Sequence, residues 1–143
     1  MYKITDGGIH GMIVSTTETY CAWSTEQVVT YCSDLSDGMA NMNTIKYVRD
    51  WESKYPAFKW CNDFNTRGIS GWYLPAKNEL NDIYTNKNAV NTTFAQYACV
   101  QLTDWYWSSY EYSNNYAWVL HFYGYHDYNW KDVSHRVRAV QSF

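Results

Sequence analysis

Between Trp105 and Trp130, twelve of the twenty-six residues are aromatic, whereas the other 117 residues contain sixteen aromatic side chains. The same segment contains no lysine and no arginine. Tyrosine and tryptophan bury large areas, but a buried hydroxyl or indole N–H group needs a hydrogen-bond partner. A chain of 143 residues with fifteen tyrosines and eight tryptophans therefore cannot place every ring in one core. We predict that many of these rings lie on the surface of the C-terminal third.

The charge of the chain argues against two classes of partner. Eleven Lys and Arg residues against fourteen Asp and Glu residues give a net charge of −3, without a basic stripe or patch. Duplex nucleic acid and anionic membranes attract clustered cations, and single-stranded nucleic acid needs a cationic groove beside its stacking platforms. No apolar run approaches the length that spans a bilayer. We therefore expect neither a nucleic-acid partner nor direct insertion into a membrane.

The N-terminus and the cysteines bear on the cellular compartment. Residues 1–8 lack the features of a signal peptide, so we expect a protein that is not secreted by that route or one that has lost a leader or an upstream domain. The four cysteines show neither a CxxC pair nor metal-ligand spacing. We expect buried, reduced thiols, with a Cys21–Cys32 disulfide as the alternative and no structural zinc.

Sequence patterns predict an α+β layout, in which helices separate an early strand from a β-rich C-terminal third. Helical spacing and helix-breaking residues predict three helices, at 43–55, 57–66 and 76–86. Asn41 or Asn43 would cap the start of the first helix, and Arg67-Gly68 would end the second. Apolar runs predict strands at 11–15, 71–75, 105–109, 117–123 and 136–140. Residues 26–31 fit a strand or a helix equally well.

Side chains of the strand at 117–123 alternate between two faces, because the side-chain period of a strand is two. One set is expected to face the core: Trp118, Leu120 and Phe122. The other set is expected on the opposite face, where substitution costs little stability: Val119, His121 and Tyr123. Replacing Trp118 by alanine should then cost about 3–5 kcal/mol. Arg136 and Arg138 also share one face, and both are expected to serve the fold.

Reactive residues do not form a recognisable catalytic or metal site. No nucleophile-elbow motif surrounds Ser108 or Ser109. Three residues could complete a catalytic triad with one of these serines or bind a metal ion: His121, His126 and Asp127. Their spacing across a strand and a loop gives no preferred ligand geometry. Glu111 with Asp127 or Asp132 is not a recognisable glycosidase pair. We predict that the chain is not an enzyme and uses no metal and no cofactor.

Several sequence blocks carry a family resemblance as a set. They are Gly71-Trp72-Tyr73-Leu74-Pro75 with Glu79-Leu80, Tyr106-Trp107-Ser108-Ser109 with Glu111-Tyr112, Ala117-Trp118, Phe122-Tyr123-Gly124, and Arg136-Val137-Arg138-Ala139-Val140. From about Gly11 to Phe143 the chain resembles the C-type-lectin-fold variable proteins of diversity-generating retroelements from gut bacteria and their phages. The formylglycine-generating enzymes form a related branch. The resemblance implies one domain, 1–143, with two or three helices on a small, mostly antiparallel sheet and a β-rich C-terminal binding face.

In that family, a template-directed reverse transcriptase replaces bases at adenines, so that asparagine codons become codons for other residues. The resemblance implies a variable region at 105–135 within a fixed framework. The fixed positions would be Trp118, Leu120, Phe122, Gly124, Lys131 and Arg136-Val137-Arg138. The variable positions would be Val119, His121, Tyr123, Tyr125, Asp127, Tyr128, Asn129, Asp132, Val133 and His135. Trp130 departs from this pattern, because adenine changes in an asparagine codon do not give tryptophan.

The resemblance implies a non-enzymatic module that binds a protein or glycan on a cell surface. The calcium-binding triplets of sugar-binding C-type lectins are absent, so no calcium is expected at the binding face. Display on a phage tail tip or fibre, or on a bacterial surface, is expected. The residues expected to bind the ligand are Tyr110, Tyr112, Ser113, Asn114, Asn115, Tyr116, Val119, His121, Tyr123, Tyr125, His126, Asp127, Tyr128, Asn129, Trp130, Asp132, Val133, Ser134 and His135.

Two other functions stay open beside this one. The first is a glycan-binding domain of similar fold that is not diversified, since aromatic rings also stack on sugars. The second is an enzyme of the formylglycine-generating branch, against which stands the absence of a cysteine pair in the C-terminal third.

Overall fold

The structure, a computed structural model, describes residues 2–5 and 11–143. Met1 and residues 6–10, which belong to the segment examined for a signal peptide and to the domain predicted for 1–143, lie outside the described residues. The helices are α1 (Gly38–Lys46), α2 (Trp51–Lys54), α3 (Pro56–Asp63), α4 (Lys77–Thr85) and α5 (Lys87–Gln96). The strands are β1 (Tyr2–Thr5), β2 (Gly11–Val14), β3 (Thr19–Ala22), β4 (Trp105–Glu111), β5 (Tyr116–His121), β6 (Tyr125–Trp130), β7 (Ser134–Val137) and β8 (Val140–Ser142).

The strands form two sheets. A small antiparallel sheet has the order β1-β2-β8, so the first and last described strands belong to the same sheet. The larger sheet has the order β3-β7-β4-β5-β6, in which only the β4–β7 pair is parallel among the described strands. The predicted α+β class with a mostly antiparallel sheet is confirmed. The described residues form five helices, compared with the two or three expected.

The first predicted helix is wrong at its start. Helix α1 begins at Gly38, because the Asp37 side chain accepts a hydrogen bond from the Ala40 N–H at 2.9 Å and so caps the first turn. Asn41 lies inside the helix and is buried. Its amide donates to the Asp34 carbonyl and to Ser109 Oγ, at 2.8 and 2.9 Å. The two asparagines proposed as caps therefore belong to the helix body.

Other predicted boundaries also move. Helix α3 ends at Asp63, and Arg67-Gly68 instead forms a tight turn with φ of 53° and 76° between the bridged residues Thr66 and Ile69. The strand predicted at 71–75 is reduced to one bridge, Tyr73 to Val140. Residues 26–31 form neither helix nor strand. Two elements were missed: helix α5, whose buried Val90 and Phe94 lie four positions apart among polar residues, and strand β6, whose polar and aromatic residues do not alternate.

Buried aromatic residues satisfy their polar groups inside the core, as the composition requires. The indole N–H of Trp23 donates to the Ser108 carbonyl at 2.9 Å, and that of Trp107 donates to the Cys21 carbonyl at 3.0 Å. The Tyr106 hydroxyl donates to Glu18 at 2.6 Å. All four cysteines are free, two of them buried and two half-buried, so the Cys21–Cys32 disulfide is not formed.

Two residues of β5 exchange the environments predicted for them. Val119 is 3% exposed, because it lies opposite Trp107 on the same sheet face, beside a fully buried indole. Trp118 is only half-buried, and its ring contacts Tyr112 and Tyr128 and does not belong to the core cluster. The prediction that Trp118 is core and Val119 accessible is therefore wrong. Leu120 and Phe122 are buried as predicted.

Candidate ligand-binding surface

The β5–β6 hairpin carries the exposed side chains, and its register divides them between two faces. Partners directly opposite each other share a face. One face, here called the polar face, is formed by His121, Tyr125, Asp127 and Asn129, with Val119 and Ala117 buried between them. The other face carries Tyr116, Trp118, His126, Tyr128 and Trp130. The predicted binding residues therefore do not form one surface but lie on both sides of a hairpin.

Five rings on the second face form a continuous cluster, here called the aromatic ladder: Tyr112, Tyr116, Trp118, Tyr128 and Trp130. Tyr112 and Tyr128 stack in parallel with centroids 4.1 Å apart and planes inclined by 5°. Trp118 meets both rings edge to face, at 5.3 and 5.8 Å. Tyr116 joins Tyr128 to Trp130, at 5.2 and 4.6 Å. Such contacts fix the rings relative to one another while leaving outer ring surface exposed.

Helix α4 borders the aromatic ladder. The ammonium of Lys77, at the start of α4, lies 3.8 Å from the Trp118 ring centroid, which is a close cation–π contact. Partial burial, and then the positive charge of Lys77, lower the pKa of His126. His126 is therefore neutral near pH 7 and presents one donor and one acceptor nitrogen. Lys77 was not among the residues predicted for this surface.

On the polar face, His121 is the centre of a small network. Its ring meets Trp105 edge to face at 4.8 Å and stacks on Tyr123 at 5.1 Å. Its Nε2 lies 3.5 Å from Asp104 Oδ1, and Asp104 in turn binds the Arg136 guanidinium at 2.6 Å. Trp105 and Asp104 were not predicted as site residues. Trp105 lies directly opposite His121 in the β4–β5 pair, so knowledge of this strand register is what identifies it.

His135 extends the polar face towards β7. Its ring meets the buried Trp107 edge to face at 4.8 Å, and its Nε2 lies 3.0 Å from the Asn129 amide nitrogen. Burial lowers the pKa of His135, with Arg136 acting in the same direction and Asp104 opposing both. A neutral imidazole that accepts the Asn129 N–H fits this geometry. Both side chains are thereby held in fixed orientations.

Two ion networks connect the C-terminal part of the chain to the segments that precede and follow β3. The Arg138 guanidinium, 1% exposed, donates to Glu18 and to the Ser15 carbonyl at 2.9 Å each. Arg136 binds the same Glu18 at 3.3 Å, so the prediction that both arginines serve the fold is confirmed. The Lys131 ammonium binds the Glu111 carboxylate and the Val28 carbonyl.

The nineteen residues predicted to bind a ligand differ in accessibility. Ten are exposed: Tyr112, Asn114, Tyr123, Tyr125, His126, Asp127, Tyr128, Trp130, Asp132 and Val133. Eight are half-buried: Tyr110, Ser113, Asn115, Tyr116, His121, Asn129, Ser134 and His135. Val119 is buried, and its side chain is not available to a ligand.

The residues considered for catalysis are engaged elsewhere. Ser108 Oγ donates to the Trp118 carbonyl at 3.0 Å, and Ser109 Oγ accepts from Asn41, so neither buried hydroxyl meets a histidine. Among residues 2–5 and 11–143, no group of three His, Cys, Asp or Glu side chains is placed to hold a metal ion. In the part of the chain that the structure describes, no helix has the length and apolarity needed to cross a membrane.

The chain is similar to known proteins in sequence and in fold. A family model described as the Lcl C-terminal domain matches residues 12–141. No curated protein matches the chain. A solved structure, a fimbrial protein from Bacteroides ovatus ATCC 8483, superposes with a TM-score of 0.68 at 16% identity over 93% of this chain. The chain spans 36% of the length of that protein, and at this identity the likeness establishes the fold.

Proposed function

Because this chain belongs to the Lcl C-terminal domain family, a family of retroelement variable proteins with a C-type-lectin-like fold, we propose that its C-terminal sheet is a diversified recognition surface. Residues between 110 and 135 would bind a protein or glycan on a cell surface. Adenine-directed mutagenesis would change the exposed positions of this region and leave its framework intact. The domain would be displayed on a phage tail tip or fibre, or on a bacterial surface.

One observation carries the proposal: the division between fixed and variable positions follows burial. Of the ten positions expected to vary, nine are exposed or half-buried, and only Val119 is buried. Most positions expected to be fixed are buried: Leu120, Phe122, Lys131, Val137 and Arg138. Substitutions at exposed sites usually change stability by little, whereas changes in a packed core are costly. A framework of this kind tolerates many binding surfaces.

The chemistry of the polar face suits recognition without catalysis. Tyrosine supplies rigid contact area with few rotatable bonds, and asparagine and histidine supply adaptable hydrogen bonds. Tyr123 is 74% exposed and Tyr125 is 65% exposed, and each lies in ring contact with His121. These two tyrosines are therefore the expected contact anchors of the polar face. We propose that the chain catalyses no reaction, which turnover of a cysteine-containing peptide would contradict.

Two experiments test the proposal. The first is sequencing the DNA beside the gene, where a near-copy of the coding segment for 105–135, differing mainly at adenines and close to a reverse transcriptase gene, is expected. The second is screening the domain against arrays of cell-surface proteins and of glycans. Binding found there should fall at least about tenfold in a Tyr123→Ala/Tyr125→Ala variant. The matched control is Tyr47→Ala/Tyr97→Ala, which removes two exposed rings outside the surface.

The outcomes separate diversification from binding. Absence of any template copy would reject retroelement diversification, and unchanged binding in the Tyr123→Ala/Tyr125→Ala variant would reject the polar face. The aromatic ladder favours a second function, a glycan-binding domain that is not diversified, because exposed rings stack on sugars. Glycan binding that depends on Tyr112 and Trp130 in a chain without a template copy would establish that alternative.

A further inference from the structure

A cavity of about 510 Å³ lies between β2, helix α5 and the turn at 66–69. It is here called the framework cavity, because all of its lining residues precede residue 105 and so lie outside the segment 105–135. Its floor is formed by Val14, Trp72 and Phe94, each no more than 1% exposed. Sites for small molecules typically have volumes of roughly 300–1,000 Å³ and predominantly apolar walls. The framework cavity therefore has the size of a small-molecule site.

The rim of the framework cavity combines one cation with hydroxyl groups. The other lining residues are half-buried or exposed: Thr16, Thr66, Arg67, Tyr97 and Cys99. None of the lining residues is acidic. Within residues 2–5 and 11–143, the Arg67 guanidinium forms no ion pair, and the hydroxyls of Thr16 and Thr66 have no hydrogen-bond partner. The rim therefore carries one positive charge that no carboxylate of the described chain neutralises.

An uncommon turn holds Arg67 at this rim. The Ile69 N–H donates to the Thr66 carbonyl at 3.0 Å, and Arg67 and Gly68 both have positive φ, 53° and 76°. Asparagine, aspartate or glycine usually occupies the first of two such positions, because most L side chains are disfavoured there. The conformation of the turn therefore does not explain an arginine at this place. Contact with a ligand would explain it.

We propose that the framework cavity binds a small aromatic carboxylate. The rings of Trp72, Phe94 and Tyr97 supply aromatic surface for a planar ring. The Arg67 guanidinium can donate two parallel hydrogen bonds to a carboxylate. A singly charged anion matches the single lining cation, whereas a phosphate monoester carries about −1.5 to −2 charges near pH 7 and would stay partly unpaired. The site is separate from the surface proposed for recognition and does not depend on diversification.

The first test compares three ligands that share one ring system: naphthoate, naphthalenemethanol and naphthyl phosphate. Each is titrated into the isotope-labelled domain, and binding is followed by the amide chemical shifts. Naphthoate should shift the amides of Thr16, Thr66 and Cys99, which lie at the rim. It should bind about 10-fold more tightly than naphthalenemethanol, which is the gain expected from a charge-assisted hydrogen bond. It should also bind more tightly than naphthyl phosphate.

The second test removes the guanidinium. Arg67→Asn keeps a residue that accepts positive φ, so the turn should persist, while the affinity for naphthoate should fall about 10-fold. The affinity for naphthalenemethanol should not change. Arg49→Asn is the matched control, because the Arg49 side chain is 96% exposed and lies outside the cavity. Bound naphthoate should also slow the alkylation of Cys99 by iodoacetamide and leave the rate at Cys21, a half-buried thiol outside the cavity, unchanged.

Several results would overturn the inference. Unchanged amide shifts at millimolar naphthoate would show that the cavity is not a site, and shifts confined to 121–130 would place binding on the hairpin. Equal affinities for naphthoate and naphthalenemethanol would reject Arg67 as the anchor, and tighter binding of naphthyl phosphate would reject a carboxylate ligand. The comparison of the three ligands needs only the wild-type chain, so it decides the question even if Arg67→Asn does not fold.

Discussion

Lys131→Met tests whether the hairpin depends on a buried charge. The Lys131 side chain is 0% exposed, and its ammonium binds Glu111 and the Val28 carbonyl and lies 4.8 Å from the Trp23 ring centroid. Glu111, whose side chain is 8% exposed, also accepts hydrogen bonds from the backbone N–H groups of Thr30 and Tyr31. Methionine matches the length of the lysine stem but carries no charge. The substitution therefore leaves the volume nearly filled and the carboxylate without its cation.

The expected loss follows from that arrangement. Removing one partner of a buried ion pair costs about 3–5 kcal/mol, because the remaining charge stays buried without a counterion. The loss should fall near the lower end, about 3 kcal/mol, since Glu111 keeps its N–H donors. A domain of this size has a total stability of about 5–15 kcal/mol, so such a loss is large. Glu111→Gln should cost a similar amount by leaving Lys131 unpaired.

Urea unfolding followed by tryptophan fluorescence measures these differences. Lys59→Met is the matched control, because its ion pair with Asp63 is exposed and should contribute less than about 1 kcal/mol. In the Lys131→Met/Glu111→Gln double variant, the loss should be smaller than the sum of the single losses, because the two groups interact directly. A Lys131→Met loss below about 1 kcal/mol, or full additivity, would refute the argument that the hairpin depends on this buried ion pair.

Two further measurements concern stability. Trp118→Ala should cost about 1–2 kcal/mol, because this ring is half exposed and loses mainly its contacts in the aromatic ladder. Trp107→Ala should cost about 3–5 kcal/mol, because it leaves a cavity in the core. Equal losses in urea unfolding would contradict the assignment of Trp107 to the core and Trp118 to the surface. Burial lowers the pKa of His135 below its usual value of 6.5 in the folded chain. The unfolded chain therefore binds a proton at this residue more readily than the folded chain. The free energy of unfolding should fall as the pH drops below about 6.5. His135→Gln should weaken that dependence, and an unchanged pH profile would show that His135 is not its source.

The sequence predicted the fold class and much of the framework, and its errors have physical causes. Alternation correctly separated the side chains of β5 into two sets, but it could not show which set other elements cover. Burial of Val119 depends on Trp107 in the neighbouring strand, whereas the Trp118 ring lies against Lys77 of helix α4 and outside the core cluster. Strand β6 has polar and aromatic residues exposed on both faces, so no apolar alternation predicts it.

The two-sided hairpin also has a consequence for protein engineering. Odd-numbered positions 121, 125, 127 and 129 project to one side, and even-numbered positions 116, 118, 128 and 130 project to the other. Randomising one set leaves the side chains of the other in place, so the hairpin offers two separable libraries on one backbone. Two specificities could then be selected independently and combined in a single domain, with each optimised against a different target.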